Sequence, residues 1–232
     1  MIKANSVWAV VPAAGIGRRY GASVPKQYDV VGNQAIISHT LDALFSYSEI
    51  KQIWVSVQSD DSLWGKQAYA DDKRVVKVAG GESRFISVFN ALKAMQAYVK
   101  PDDWVLVHDA VRPCVNEELL IRLLTAIEGH AVGGILAIPM SDTVKSVKDS
   151  REVVMTLPRD AIWRAQTPQA FRYQVLFSAL ETASLNGYIV TDESSAVERM
   201  GLSPLVVRGS SMNIKITTPE DRMLFEWYQS RR

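Results

Sequence analysis

The run "VWAVVP" at residues 7–12 and the loop after it, "AAGIGRRYGASVPKQY" at 13–28, decide how the rest of the chain is read. A short run of apolar, β-branched residues with no polar alternation is a strand covered on both faces. Similar runs recur as "QIWVSV" (52–57), "RVVKVA" (74–79), "DWVLVH" (103–108) and "GGILAIP" (133–139). Between them the apolar residues change to helical spacing. Ile36, Ile37, Leu41, Leu44 and Phe45 share one face of 35–47. Ile86, Phe89, Leu92 and Met95 share one in 86–97, and Leu119, Leu120, Leu123, Leu124 and Ile127 one in 117–128. Strand–helix alternation of this kind predicts an α/β fold, a mostly parallel twisted sheet with helices on both faces.

The pattern changes after Pro139. "MSDTVKSVKDSREVVMTLPRD" (140–160) holds two alternating segments around a "KDSRE" turn, which predicts a projecting antiparallel β-arm at about 139–164. The arm has little apolar area to bury on its own domain, and a partner subunit is one way to cover it. Helices are expected at 173–186 and 192–200, a strand at 204–207, and a last helix capped by Thr218 with proline following. The 232 residues read as a single domain, 1–232, with that arm. Apolar residues are 47%, charged residues 22% and the net charge is +1, so no global field points to nucleic acid or a membrane surface. With Cys114 as the single cysteine there is neither an intrachain disulfide nor a cysteine zinc site. No stretch reads as a signal peptide or a membrane span, and a soluble, cytoplasmic protein is expected.

Ligands of open α/β sheets bind beyond the carboxyl ends of the strands, where the opening loop lies. Gly15 and Gly17 allow close backbone approach, and Arg18, Arg19 and Lys26 supply cationic donors without a neighbouring acid. Assembled cations repel one another, and an anion such as a triphosphate is the usual reason to gather them. The dinucleotide fingerprint fails at Tyr20, and the P-loop pattern is absent.

Other strand ends carry further candidates. In "AGGESRFISV" (79–88), Gly80 and Gly81 permit close approach, and Glu82 or Ser87 could face a base; a turn with a helix-capping Glu and Ser is the alternative. In "VLVHDAVRP" (105–113), Asp109 could hold Mg²⁺ or take a turn role, Arg112 could bind a second anion, and His108 reads as structural. Thr143, Arg159 and Thr167 could clamp a phosphorylated acceptor or be solvated turn residues. Lys215 in "MNIKITTPED" (212–221) alternates with two isoleucines, as an exposed lysine does.

Together "PAAGIGRR", "PKQY", the "GG" and "SV" of 80–88, "VLVHDAVRP", "DTVK", "TPQAF", "TDESSAVE" and "NIKIT" resemble the 2-C-methyl-D-erythritol 4-phosphate cytidylyltransferases of the non-mevalonate isoprenoid pathway. They stand in that family's order and run from residue 7 to about 221. The resemblance implies a Rossmann-like nucleotidyltransferase fold and a homodimer that exchanges β-arms. It implies transfer of a cytidylyl group from CTP to methylerythritol phosphate with Mg²⁺ and release of pyrophosphate. The matching catalytic residues are Arg19, Lys26, Arg159 and Lys215. CTP would meet Ala13, Ala14, Gly15, Gly17, Arg19, Lys26, Gly81, Glu82, Ser87, Asp109, Ala110 and Lys215. The acceptor would meet Asp109, Arg112, Thr143, Arg159, Thr167 and Lys215, with Thr143 and Arg159 from the partner's arm and Asp109 beside the metal. Where the family commonly has Asp then Glu after "GG", this chain has Glu82 then Ser83.

Two rival readings stand beside this one. A ribitol 5-phosphate cytidylyltransferase of the same fold would share the loops. A non-catalytic CTP sensor would bind the nucleotide but has no use for a second phosphate site.

Overall fold

The structure is a computed structural model and describes residues 5–15 and 24–231. Its first half runs β1 (Val7–Pro12), a short ladder of β2 (Val30–Val31) and β3 (Gln34–Ala35), α1 (Ile36–Phe45), β4 (Ile50–Val57), β5 (Val75–Ala79), α2 (Arg84–Met95), β6 (Trp104–Val107), α3 (Glu117–Ile127) and β7 (Gly133–Pro139). The second half runs β8 (Val144–Val147), β9 (Val153–Leu157), β10 (Trp163–Arg172), α4 (Tyr173–Leu185), α5 (Glu193–Arg199), β11 (Leu205–Arg208) and α6 (Pro219–Gln229).

Seven strands form one sheet in the order β11-β7-β10-β6-β1-β4-β5. β1 pairs in parallel with β4 on one side and β6 on the other, and β4 continues in parallel to β5. The strand order therefore reverses at β1. A crevice opens there beyond the carboxyl ends of the strands, which is where such sheets bind ligands. The runs expected at 7–12 and 133–139 have those bounds, and the others shift by at most a few residues at an end.

β10 was not expected as a strand. It inserts antiparallel between β6 and β7, with Phe171 opposite Val105 and Trp163 opposite Pro139. Its polar residues and Pro168 hide a strand whose middle is nonetheless buried. The sheet is thus mixed, with parallel pairing on both sides of this one reversal.

The two faces of the sheet follow from the pleat. Val7, Ala9 and Val11 point to one face, where they pack with Leu41 and Leu44 of α1 and Leu120 and Leu123 of α3. Trp8 and Val10 point to the other, with Val88, Leu92 and Met95 of α2 and Leu176 and Leu180 of α4. Each fully buried aliphatic side chain stabilises the fold by about 1.5–3 kcal/mol against exposure. α6 sits apart from these faces. Its Phe225 joins Val31, Ile36, Val111, Cys114 and Ile216, and Arg222 pairs with Asp29 at 2.9 Å. Thr218 caps α6 and Pro219 takes its first turn, as the sequence predicts.

The expected arm is a separate two-stranded sheet of β8 and β9, with Val144 opposite Leu157. Val147, Val153, Val154 and Met155 are exposed on it.

Just past β6, His108 is wholly buried and joins β6 to β10. Its Nε2 lies 3.0 Å from the Arg112 carbonyl and must donate to it, which leaves Nδ1 to accept the Thr167 hydroxyl at 3.1 Å. The same hydroxyl accepts the Asp109 N–H at 3.0 Å. His108 is therefore structural, as expected, and its hydrogen bonds position the residue next to it.

Two outcomes are expected. Gly133 has a φ of +137°, and a Cβ there would lie 2.2 Å from the Ala170 carbonyl oxygen of the neighbouring strand. Gly133→Ala should cost about 2–4 kcal/mol in urea unfolding, and a loss within error of zero would contradict this geometry. The second concerns His108, whose pKa burial pushes from 6.5 down to about 4. Between these values the unfolded chain holds the extra proton, so stability decreases as pH falls. The contribution is complete above the unfolded value and drains away toward the folded one, by about 2 kcal/mol between pH 7 and 5. Urea unfolding at both pH values should show this decrement, and His108→Gln should remove it.

Candidate active site

Four segments meet in the crevice beside β1. The first is Pro12–Gly15, which leaves the end of β1. Gln27 holds this segment by donating to the Ala13 carbonyl at 2.7 Å and the Gly15 carbonyl at 3.0 Å. Gln58, following β4, donates to the Ala14 carbonyl at 3.1 Å. The loop is therefore shaped by amides before any ligand arrives. Gly17, Arg18 and Arg19 lie outside the described residues.

The second segment is the turn from β5 into α2. A Cβ on Gly80 would fall 2.4 Å from the Ala14 Cβ, and one on Gly81 2.1 Å from the Ile86 side chain. The double glycine is required by the packing of the loop itself, which adds to the expected need for ligand approach. Ser87 is buried, donates to the Ser83 carbonyl at 2.9 Å and accepts the Gly81 N–H at 3.0 Å. Its hydroxyl shapes the turn. Ser83 caps α2, and Glu82 is exposed at the cavity edge.

The third segment begins with Asp109, just beyond β6. Its carboxylate is nearly buried and meets three cations. Oδ1 accepts from Arg84 Nε at 3.1 Å, and Oδ2 accepts from Arg112 Nε at 3.2 Å and Lys215 Nζ at 2.9 Å. Burial alone would raise the Asp109 pKa. Arg84, Lys215 and Arg112 outweigh it and hold the carboxyl far below the usual range. Burial works against the charge on Arg84 as well, but Glu193 and Asp109 raise its pKa. Arg84 also forks onto Glu193, with contacts of 2.6 and 3.0 Å. Arg112 is lowered by burial, with Arg84 and Arg164 adding repulsion against the pull of Asp109.

The fourth segment is 212–217. The sequence pattern made Lys215 an exposed lysine in an alternating run, but this segment is not a strand. Ile216 is buried and donates its N–H to the Val111 carbonyl at 2.9 Å, which anchors the residue beside it. Asn213 donates to the Thr167 carbonyl at 2.8 Å, and its own carbonyl accepts from Arg112 at 2.8 Å. Lys215 is so aimed inward at Asp109.

A cavity of about 630 Å³ brings these segments together. It is lined by Ala13, Ala14, Gly15, Lys26, Gly81, Glu82, Ser87, Asp109, Ala110 and Lys215, together with Arg84 and Gln58. Apart from Arg84 and Gln58, these are all the described residues expected to meet a nucleotide. A second cavity of about 290 Å³ adjoins it at Lys215 and is lined by Arg112, Arg164 and Asn213. Arg164 is exposed, and its side chain makes no hydrogen bond or ion pair among the described residues. Two guanidinium groups and an ammonium around one small cavity, against the single carboxylate of Asp221 in its lining, favour an anion. Thr167 sits behind this floor with its hydroxyl already committed to His108 and Asp109. Thr143 and Arg159 stand on the arm and line neither cavity.

Arg84, Glu193 and Arg164 were not singled out from sequence. Arg84 and Glu193 stand 109 positions apart, and nothing local marks them as a pair. No cluster of three or more His, Cys, Asp or Glu residues suited to a metal occurs among the described residues. Asp109 keeps an unused lone pair on Oδ1. That suits a hard cation whose other ligands come from phosphates and water.

Comparison with known proteins bears on this geometry. The model of the 2-C-methyl-D-erythritol 4-phosphate cytidylyltransferase (IspD) family matches residues 7–231. The chain is 42% identical over 227 residues to the enzyme of that name from Hahella chejuensis, covering 98% of this chain and 94% of the relative. It is 44% identical over 227 residues to that of Vibrio vulnificus strain CMCP6, covering 98% and 96%. The crystal structure of the Francisella tularensis enzyme superposes with a TM-score of 0.84 at 40% identity, over 96% of this chain and 99% of that one. The chain belongs to the 2-C-methyl-D-erythritol 4-phosphate cytidylyltransferase family.

Proposed function

We propose that the protein transfers the cytidylyl group of CTP to 2-C-methyl-D-erythritol 4-phosphate and releases pyrophosphate. The observation that carries the reading is the arrangement around Asp109. Lys215 faces the larger cavity and the smaller, cationic one at once, so a nucleotide in the first and a phosphorylated alcohol in the second would meet across a single ammonium. Family membership supplies the identities of the two substrates.

An oxygen of the acceptor phosphate attacks the α-phosphorus of CTP. The new oxygen–phosphorus bond forms as the bond to the β-phosphate oxygen breaks, and pyrophosphate leaves with that electron pair. The acceptor phosphate is already anionic at neutral pH, so no general base is needed. His108 agrees with this, since its bonds and its low pKa keep it internal and neutral. The task is to bring two anions together and to stabilise charge as it moves onto the leaving group. Lys26, lining the larger cavity, and Arg19 would face the triphosphate, and Lys215 would sit between the reacting phosphates. Arg112 and Arg164 would take the outer oxygens of the acceptor phosphate. Asp109 Oδ2 accepts from both Arg112 and Lys215, and its negative charge offsets their mutual repulsion, which lets both stay charged at close range.

Mg²⁺ would be held by Asp109 and the phosphates it accompanies, and would neutralise phosphate charge. Thr143 and Arg159 fit this scheme if a second copy's arm reaches the acceptor cavity. The exposed Val153, Val154 and Met155 of the arm favour such a homodimer. No helix of the described residues is long and apolar enough to cross a membrane, and both substrates of the reading are water-soluble, consistent with a cytoplasmic enzyme.

Pyrophosphate release should follow addition of CTP, Mg²⁺ and methylerythritol phosphate, and ribitol 5-phosphate in its place should give little. Release with ribitol 5-phosphate alone would replace the acceptor, and silence with both would remove the enzyme reading. Lys26→Ala should lower kcat by on the order of 10²–10³-fold, about 3–4 kcal/mol. Mixing inactive Arg159→Ala and Lys26→Ala subunits should restore activity, because one site of each hybrid is intact. Absence of recovery would place Arg159 in its own subunit's service.

A further inference from the structure

We propose that Glu193 is a positioning residue. Acting through Arg84, it fixes which way the Asp109 carboxylate faces and so holds Lys215 between the two cavities. The inference rests on the functional reading above for what Lys215 does, and on geometry alone for how it is held.

Glu193 does not line either cavity, and it is 1% exposed. It reaches the site only through Arg84, whose Nη1 and Nη2 donate to its two oxygens while Nε donates to Asp109 Oδ1. The base beneath it is rigid. Glu193 opens α5, where Asp192 and Ser195 form a capping box. Gln169 of β10 binds both sides of that cap, donating to Asp192 Oδ2 at 2.8 Å and accepting the Ser194 N–H at 2.9 Å. The same strand carries Thr167, which holds the Asp109 N–H. Backbone and side chain of Asp109 are thus located from one strand, by two routes.

Stability is a weak reason to keep such a pair. A buried ion pair loses much of its attraction to desolvation, and an apolar pair of similar volume often does as well. A geometric reason is stronger. Arginine prefers to grip a carboxylate with two parallel N–H groups. Without Glu193 the Arg84 fork would be unsatisfied and could turn onto both oxygens of Asp109. Oδ2 is where Arg112 and Lys215 are held. Glu193 takes up the fork and leaves Arg84 a single contact on Oδ1. The whole network then has three cations against two carboxylates, which leaves one net positive charge facing the substrates.

The test compares Glu193→Gln, which keeps the shape and removes the charge, with wild type, in kinetics and in a crystal structure. The value of kcat/KM for the acceptor should fall on the order of 10–10²-fold, the scale of a misplacement of about 1 Å. The crystal structure should show Arg84 against both Asp109 oxygens and Lys215 out of its 2.9 Å contact. In an Asp109→Asn background the same substitution should add little, because the path to Lys215 is already cut. Full additivity in that background would overturn the proposal, as would a crystal structure with Asp109 and Lys215 unmoved. A lower melting temperature with unchanged kcat/KM per folded molecule would also overturn it, by making the pair a structural clasp. If Glu193→Gln does not fold, Arg84→Lys replaces it. A lysine cannot fork, so the same acceptor defect is expected, and normal acceptor kinetics would refute the proposal. Should wild type release no pyrophosphate with any acceptor, the functional reading falls, and the crystallographic result still decides whether Glu193 sets Asp109.

Discussion

A carboxylate taken out of water must be compensated, and Asp109 is compensated by Arg84 from α2, Arg112 from its own turn and Lys215 from the segment before α6. The cost of desolvating Asp109 and Arg112 is tolerable only because each finds partners in good geometry. The same condition explains the shape around them. α2 must begin where Arg84 can reach β6. The 212–217 segment must be pinned by Asn213 and Ile216 so that Lys215 points inward, and β10 must lie beside β6 so that Thr167 can hold the Asp109 backbone. Remote parts of the chain converge because one buried negative charge requires them to.

The sheet supplies the place for this. Reversal of strand order at β1 sends α1 and α2 to opposite faces and opens a gap between the ends of β4 and β6. The start of α2 lines that gap through Ser83 and Arg84, and a helix N-terminus suits anions. Side chains then decide which anions. Glutamines 27 and 58 shape the first loop by holding its carbonyls at Ala13, Ala14 and Gly15.

Much of this was legible in the sequence, for identifiable reasons. Strands buried on both faces write themselves as apolar runs, and helices with one buried face write themselves as periodic leucines. β1, β7 and α3 were read almost to the residue. The gathering of the expected loops at one cavity was legible too, because these loops directly follow strands. What stayed hidden depends on distance or on mixed environments. β10 carries Arg164 at an open cavity, Gln166, Thr167 and Gln169 in internal hydrogen bonds, and only Ala170 and Phe171 in the core, so no period survives. Arg84 reads locally as an ordinary helix residue, and its value lies in a partner 109 positions away. Lys215 alternates with two isoleucines as a strand lysine would, yet it is held by contacts on both sides of it. Ser87 and Thr167 were read as hydroxyls for a ligand, and the structure spends both on shaping the turns that carry Gly81 and Asp109.

The division of labour among the cations follows from their chemistry. Arg84 and Arg112 are locked in forks and carbonyl contacts, and a guanidinium that cannot lose its proton suits a fixed positive wall. Lys215 has one contact and a side chain more than a third exposed, so its remaining donors can turn toward a substrate. A compact ammonium on a flexible stem can follow charge as it moves from one phosphate to another, which a fixed fork cannot do. A site of this kind needs neither a nucleophile nor a base. It needs walls that do not move and one donor that can, and the buried carboxylate of Asp109 is what allows both to stand so close together.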